Sequence, residues 1–140
     1  MSITFDTDKQ RLDRDMVNRY LSGESYWARG LPRDIFERSL DGALCIGGYD
    51  ERGQQVAFAR VISDCATFAY LGDVFVLDNL RGQGTGKALM AYIQAHPQLQ
   101  NLRRFMLATA DAHGLYAQYG FAALGTPEWI MDKRDPDVYQ

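Results

Sequence analysis

The sequence predicts a single α/β domain over residues 1–140, built on a largely antiparallel sheet with helices packed against it. Two observations carry that prediction. From Ala43 the segments "ALCIGGYD", "QVAFARVISD" and "TFAYLGDVFVL" follow one another across short turns containing Gly or Asp, the pattern of an antiparallel meander. Segments with apolar residues at helical spacing precede and follow it. A chain of 140 residues, 46% hydrophobic and 12% aromatic, buries a core without metals or disulfides.

In chain order, "SITF" reads as a short first strand. Asp6, Thr7 or Asp8 then caps a helix from about Lys9 to Ser22, with Leu12, Met16, Tyr20 and Leu21 on its apolar stripe and Arg11, Arg14 and Arg19 on a solvated face. "SGESYWARGLP" breaks the periodicity, and Pro32 opens a second short helix through Ile35, Phe36 and Leu40. After the meander, Gly86 to His96 is helical, with Leu89 and Ile93 one turn apart, and Pro97 blocks continuation. "RRFMLAT" is a strand, "DAHGLYAQY" a short helix stopping at Gly120, and "FAAL" and "EWIMDKR" are closing strands.

Composition removes several classes of function. A net charge of −3, with only the short basic pairs Arg103-Arg104 and Lys133-Arg134, argues against a nucleic-acid partner. Cys45, Cys65, His96 and His113 lack metal-ligand spacing, so no metal is expected, and two reduced cysteines suit the cytoplasm. The first residues are charged without an apolar core, and no apolar run nears the ~18 residues of a membrane span, so no membrane partner is expected either.

The chemistry concentrates in "LGDVFVLDNLRGQGTGKALMAYI", where Gly82, Gly84 and Gly86 occupy a strand-to-helix turn whose amides can face an anion. It is not a P-loop: one residue too few separates Gly82 from Gly86, and Ala88 follows Lys87 where a hydroxyl is needed. Nor is it a dinucleotide fingerprint, which would require glycine at Lys87 or Leu89. What fits is R-x-x-G-x-G, at Arg81, Gly84 and Gly86. With it stands a second signature, Y-x-x-x-G-F, at Tyr116, Gly120 and Phe121. On these two motifs, in this order behind a strand meander, the chain from about Ala43 to Leu124 resembles the GNAT family of acetyl-CoA-dependent N-acetyltransferases.

The resemblance implies a mixed, mostly antiparallel central sheet with helices on both faces and splayed strands four and five. It implies that acetyl-CoA is the cosubstrate. Its pyrophosphate would lie on the amides of Gly82, Gln83, Gly84, Thr85, Gly86 and Lys87, with Arg81 orienting loop or phosphates. Its pantetheine would pair with the backbone of Val74, Phe75 and Val76, one amide of which polarises the thioester carbonyl. Tyr116 falls where the family often has its general acid, and a phenol keeps its proton at neutral pH. Packing against coenzyme A is the alternative role for Tyr116.

No family rule fixes the base. Asp73, in an apolar strand, is the first candidate and His113, on the acceptor side, the second, with structural hydrogen bonding as the alternative for each. Asp111 reads as a helix cap. The acceptor would be covered by "SYWARGLP", with Tyr26 and Trp27 enclosing it and Arg29 or Arg33 pairing with a carboxylate. Trp27 as a hydrophobic plug is the alternative there. The implied reaction is direct transfer of acetyl to a primary amine of a small molecule. A protein lysine or N-terminus as acceptor, coenzyme A binding without transfer, and a homodimer through the sheet edge remain alternatives or additions.

Overall fold

The computed structural model describes residues 2–140, and the meander is its frame. Strands β2 (Leu44–Tyr49), β3 (Gln55–Ser63) and β4 (Phe68–Val76) run antiparallel. β1 (Thr4–Asp6) adds antiparallel to β2, and β5 (Arg104–Leu107) adds parallel to β4, giving one five-stranded sheet in chain order. Aspartates fix the tight turns. Asp50 accepts from the amides of Arg52 and Gln54. Asp64 accepts from the amide and hydroxyl of Thr67 and from the amides of Ala66 and Phe68, donors that hold its carboxyl well below the usual carboxylate range.

Both faces of the sheet are covered, because successive strand residues point to opposite sides and both sets are apolar. On one face α1 (Arg14–Gly23) and α2 (Arg33–Asp41) bury Val17, Leu21, Phe36 and Leu40 against Cys45, Phe58 and Phe75. On the other, α3 (Thr85–Ala95) and α4 (His113–Ala117) bury Leu89, Met90, Ile93 and Tyr116 against Ile46, Ala57, Ala59, Val61 and Leu71. No helix among the described residues is long and apolar enough to cross a membrane.

Two expectations fail. The first helix does not begin at Lys9. Residues Lys9–Arg11 form a separate 3-10 turn capped by Asp8, and α1 starts at Arg14 with Asp13 as its cap, its carboxylate accepting from the Met16 amide at 3.1 Å. The break is tertiary in origin: the Asp13 amide donates to Gln55 Oε1 at 2.7 Å, tying the junction to β3 while Leu12 turns into the core. The closing strands are also absent. "FAAL" and "EWIMDKR" lie in an irregular tail with one 3-10 turn, Pro127–Trp129. Alternation alone cannot make a strand without a surface for its apolar side, and here Trp129 and Met131 are 74% and 92% exposed. The tail instead runs back to the α1–α2 loop. There Gly30, at φ +83°, admits the Tyr139 carbonyl so closely that a Cβ would lie 3.3 Å from it.

If Asp13 caps α1, Asp13→Ala should cost about 1 kcal/mol in urea unfolding. Asp8→Ala, which removes the cap of a single 3-10 turn, should cost clearly less.

Candidate active site

β4 carries an irregularity that creates the site. Phe58 faces Phe75 and Arg60 faces Gly72, so one residue of β3 spans the interval that two residues of β4 occupy. The extra residue makes a β-bulge, with Asp73 in the left-handed region at φ +55°, a conformation aspartate tolerates better than most residues. Side-chain phase reverses across it. Ala69 and Leu71 face the α3–α4 side before the bulge, whereas Val74 and Val76 face that side after it, and Phe75 turns to α1 and α2. Pairing with β5 ends at the same place, at Leu71 opposite Leu107, while β4 continues to Val76. The gap holds a cavity of about 680 Å³ bordered by Gly72, Asp73, Val74, Ala108, Thr109 and Ala110.

The α1–α2 loop closes this gap by hydrogen bonds to both of its sides. Buried Ser25 sets the loop, its hydroxyl donating to the Leu21 carbonyl at 2.6 Å and accepting from the Ala28 amide at 3.0 Å. Trp27 Nε1 then donates to Asp73 Oδ1 at 2.9 Å, on the β4 side. The Tyr26 hydroxyl accepts from the Ala110 amide at 2.9 Å, on the β5 side. The two rings meet edge to face with centroids 4.9 Å apart. The second oxygen of Asp73, Oδ2, accepts from Arg60 Nε at 2.8 Å in an ion pair whose side chains are only 20% and 11% exposed.

Tyr116 reaches the same cavity from the opposite face of the sheet, because the gap interrupts the layer between them. Its ring packs against Phe121 at 6.1 Å, and its hydroxyl has no hydrogen-bond partner among the described residues. Burial pushes its pKa up, with Tyr26 and Asp111 adding to the effect. Asp111 caps no helix: α4 begins without a side-chain cap, Thr109 Oγ1 accepts from the Ala112 amide at 3.1 Å, and Asp111 borders the cavity.

The glycine turn fits an anion on four counts. Gly82 and Gly84 sit at φ +80° and +81°, and a Cβ at either would meet nothing within 4 Å, so the backbone is open to approach. Gly84 is the N-cap of the 11-residue α3 and offers no side chain to its amides, and no acidic residue stands in the first turn. Helical bonding begins with the Ala88 amide on the Gly84 carbonyl, leaving the preceding amides free for a ligand. Gly86 is ordinary helix by comparison, 3.8 Å from Leu115 through its would-be Cβ. The turn is braced on both sides. Arg81 Nη2 donates to the Tyr20 hydroxyl at 3.1 Å and pairs with Asp78 at 3.2 Å, while the Tyr119 hydroxyl donates to the Lys87 carbonyl at 2.8 Å. Gln83 only reaches back to the Asn79 carbonyl at 3.5 Å.

Of the side chains expected at the site, Tyr26, Trp27, Asp73, Val74 and Tyr116 converge on one cavity. Arg29 and His113 are exposed and do not border it, and Arg33 is held by Asp15 and Glu37 at 2.6 and 3.0 Å. The backbone of Phe75 and Val76 lies just beyond the bulge, on the stretch of β4 that has no β5 partner. Sequence reasoning missed Arg60, Asp132 and Arg134, which border the cavity. For Arg60 a signal existed, the same one that marked Asp73: a lone charge in an apolar strand.

Residues 41–123 match the profile of the acetyltransferase (GNAT) domain, well over half of the chain. The chain belongs to the GNAT acetyltransferase family. A provisionally named acetyltransferase of the fungus Gibberella zeae is 31% identical over 131 residues, covering 80% of this chain and 74% of that protein. A crystal structure from Xanthomonas campestris pv. campestris, described provisionally as a GNAT acetyltransferase, is 52% identical at a TM-score of 0.96, covering 99% of this chain and 97% of that one. A similarly described acetyltransferase from Deinococcus radiodurans R1 shares the fold at a TM-score of 0.75 with 22% identity, covering 98% and 91%. The sheet accords with the family, mostly antiparallel with the parallel pair β4–β5.

Gly84→Asp places a carboxylate where the GNAT turn would receive an anion. Coenzyme A affinity measured by calorimetry should fall by at least about tenfold, the loss of one or two charge-assisted contacts, while the fold survives. Unchanged affinity in a folded variant would remove the turn from the binding site.

Proposed function

We propose that this GNAT protein is an N-acetyltransferase that moves acetyl from acetyl-CoA directly to the primary amine of a small molecule, in a ternary complex. The observation that carries the reading is Tyr116, a buried residue that borders the cavity and whose hydroxyl has no protein partner among the described residues, in the gap where β4 loses its β5 neighbour. Acetyl-CoA supplies the thioester, whose acyl carbon takes the amine nitrogen as the C–S bond breaks.

The residues divide that work. The amides from Gly82 to Lys87, at the positive end of α3, hold the pyrophosphate without a metal. The unpaired edge of β4, at Val74, Phe75 and Val76, offers backbone groups to the pantetheine and a donor to the carbonyl oxygen. Tyr116 gives a proton to the departing sulfur. Its raised pKa keeps that proton in place at neutral pH. Asp73 accepts one proton from the amine, since each of its oxygens keeps a lone pair beyond the bonds from Trp27 and Arg60. Neither cysteine is needed as a nucleophile: Cys45 is buried, with burial pushing its thiol pKa up, and Cys65 lies in the β3–β4 turn away from the cavity. Two free thiols also favour the cytoplasm as its compartment.

Tyr116→Phe keeps the ring and removes the acid, so acetyl-CoA affinity should hold while kcat falls by about 10² to 10⁴. Because the acid form is required and burial raises its pKa, wild-type kcat should be flat at neutral pH. It should decline only as pH climbs through a value above the ordinary phenol, about 10. The phenylalanine variant should lack that limb, and a variant with wild-type kcat would return proton donation to water.

Trp27→Ala opens the bridge over the gap and should raise the acceptor KM with little change in coenzyme A affinity. Equal losses for both ligands would make Trp27 a plug for the fold.

A further inference from the structure

Two cations border the cavity without a role in the transfer itself. Arg60 is the more constrained. Its side chain is 20% exposed, and only Nε is engaged, donating to Asp73, while neither Nη group has a partner among the described residues. Its Nη donors are left without a protein acceptor while the residue borders the cavity, so an acceptor bound there would complete the donor fork. Arg134 arrives from the irregular tail, which the Tyr139–Gly30 contact brings alongside the α1–α2 loop, and it makes no ion pair among the described residues.

Charge pairing selects the kind of molecule these two would take. Asp73 already matches the charge of Arg60, so what Arg60 lacks is an acceptor with two oxygens in the plane of its Nη pair. Arg134 adds an unmatched positive charge, and Asp111 and Asp132 add carboxylates. A molecule with both an ammonium and a carboxylate offers an anion to the two arginines and a cation to the three carboxylates. A polyamine would leave Arg134 and the Nη groups of Arg60 without an acceptor and bring further positive charge to them. The cavity, about 680 Å³ and shared with the acyl end of the donor, has room for a small molecule, with Tyr26 and Trp27 as an aromatic wall.

From this we infer that the acceptor is a small amine carrying a carboxylate, in the size class of a free amino acid. Its carboxylate lies on Arg60 Nη and Arg134 and its amine is directed to Asp73 and Tyr116. The inference rests on the transferase reading for the word acceptor, but the carboxylate site can be tested by binding alone. The full-length protein saturated with coenzyme A would be titrated calorimetrically with α-, β- and γ-amino acids, with the primary amide of each, with spermidine and with glucosamine 6-phosphate. At least one amino acid should bind about tenfold or more tighter than its amide, the worth of a charge-assisted pair. Arg134→Glu, on the exposed tail and safe for the fold, should erase that margin, and Arg60→Lys, which keeps charge but loses the fork, should reduce it. Amides or spermidine binding as well as the acids, or no amino acid binding at all, overturns the proposal. A preference for glucosamine 6-phosphate over every amino acid does so as well, because the anion is then a phosphate. Thiol release from acetyl-CoA with the same panel separates the two readings. Discrimination in binding without release sinks the transferase and leaves the carboxylate site, whereas release with uncharged amines and no discrimination does the reverse.

Discussion

The ion pair between Arg60 and Asp73 holds together what the rest of the site depends on, the bulge in β4. One extra residue in that strand reverses the side-chain phase, so Phe75 can stack on Tyr20 at 4.0 Å on the α1 face while Val74 and Val76 return to the α3 face. The conformation at Asp73 is left-handed and uncommon outside glycine, and it persists because both carboxylate oxygens are tied, one to Arg60 and one to Trp27. β4 thereby leaves β5 at Leu71 and exposes a stretch of unpaired strand edge in the middle of the fold.

That gap explains how residues from both faces of a sheet share one cavity. Trp27 and Tyr26 belong to the α1–α2 side, and Tyr116 to the α3–α4 side; an unbroken sheet would keep them a full layer apart. The loop spans the opening by bonding one aromatic to each bank, at Asp73 and at the Ala110 amide. The glycine turn is linked to both layers as well, through Arg81 to Tyr20 and through Tyr119 to the Lys87 carbonyl. In the proposed reaction, an anion on the turn and a small molecule at the aromatic loop would be registered against the same strand.

Much of this was legible in the chain because it is local. The meander, the helix after Gly84 and the short helix ending before Gly120 follow from alternation, helical spacing and turn residues within windows of about ten positions. Failures came where distant contacts decide. The start of α1 moved to Arg14 because Gln55, 42 positions away, takes the Asp13 amide. "EWIMDKR" alternates like a strand but has no partner, so it became tail. Arg29 and Arg33 looked suited to a carboxylate, yet Arg33 is engaged by Asp15 and Glu37 and Arg29 faces solvent.

By itself the sequence determined the five strands the sheet uses, the glycine turn before α3 and the tyrosine in Y-x-x-x-G-F, because each needs only neighbouring residues and the backbone preferences they impose. Tertiary structure alone decided that Asp73 would meet Arg60 and Trp27, that β4 would bulge and leave β5, and that Arg134 would return from the tail to the cavity. Those outcomes depend on strand register and on side chains far apart in the chain, and neither is encoded in a local pattern.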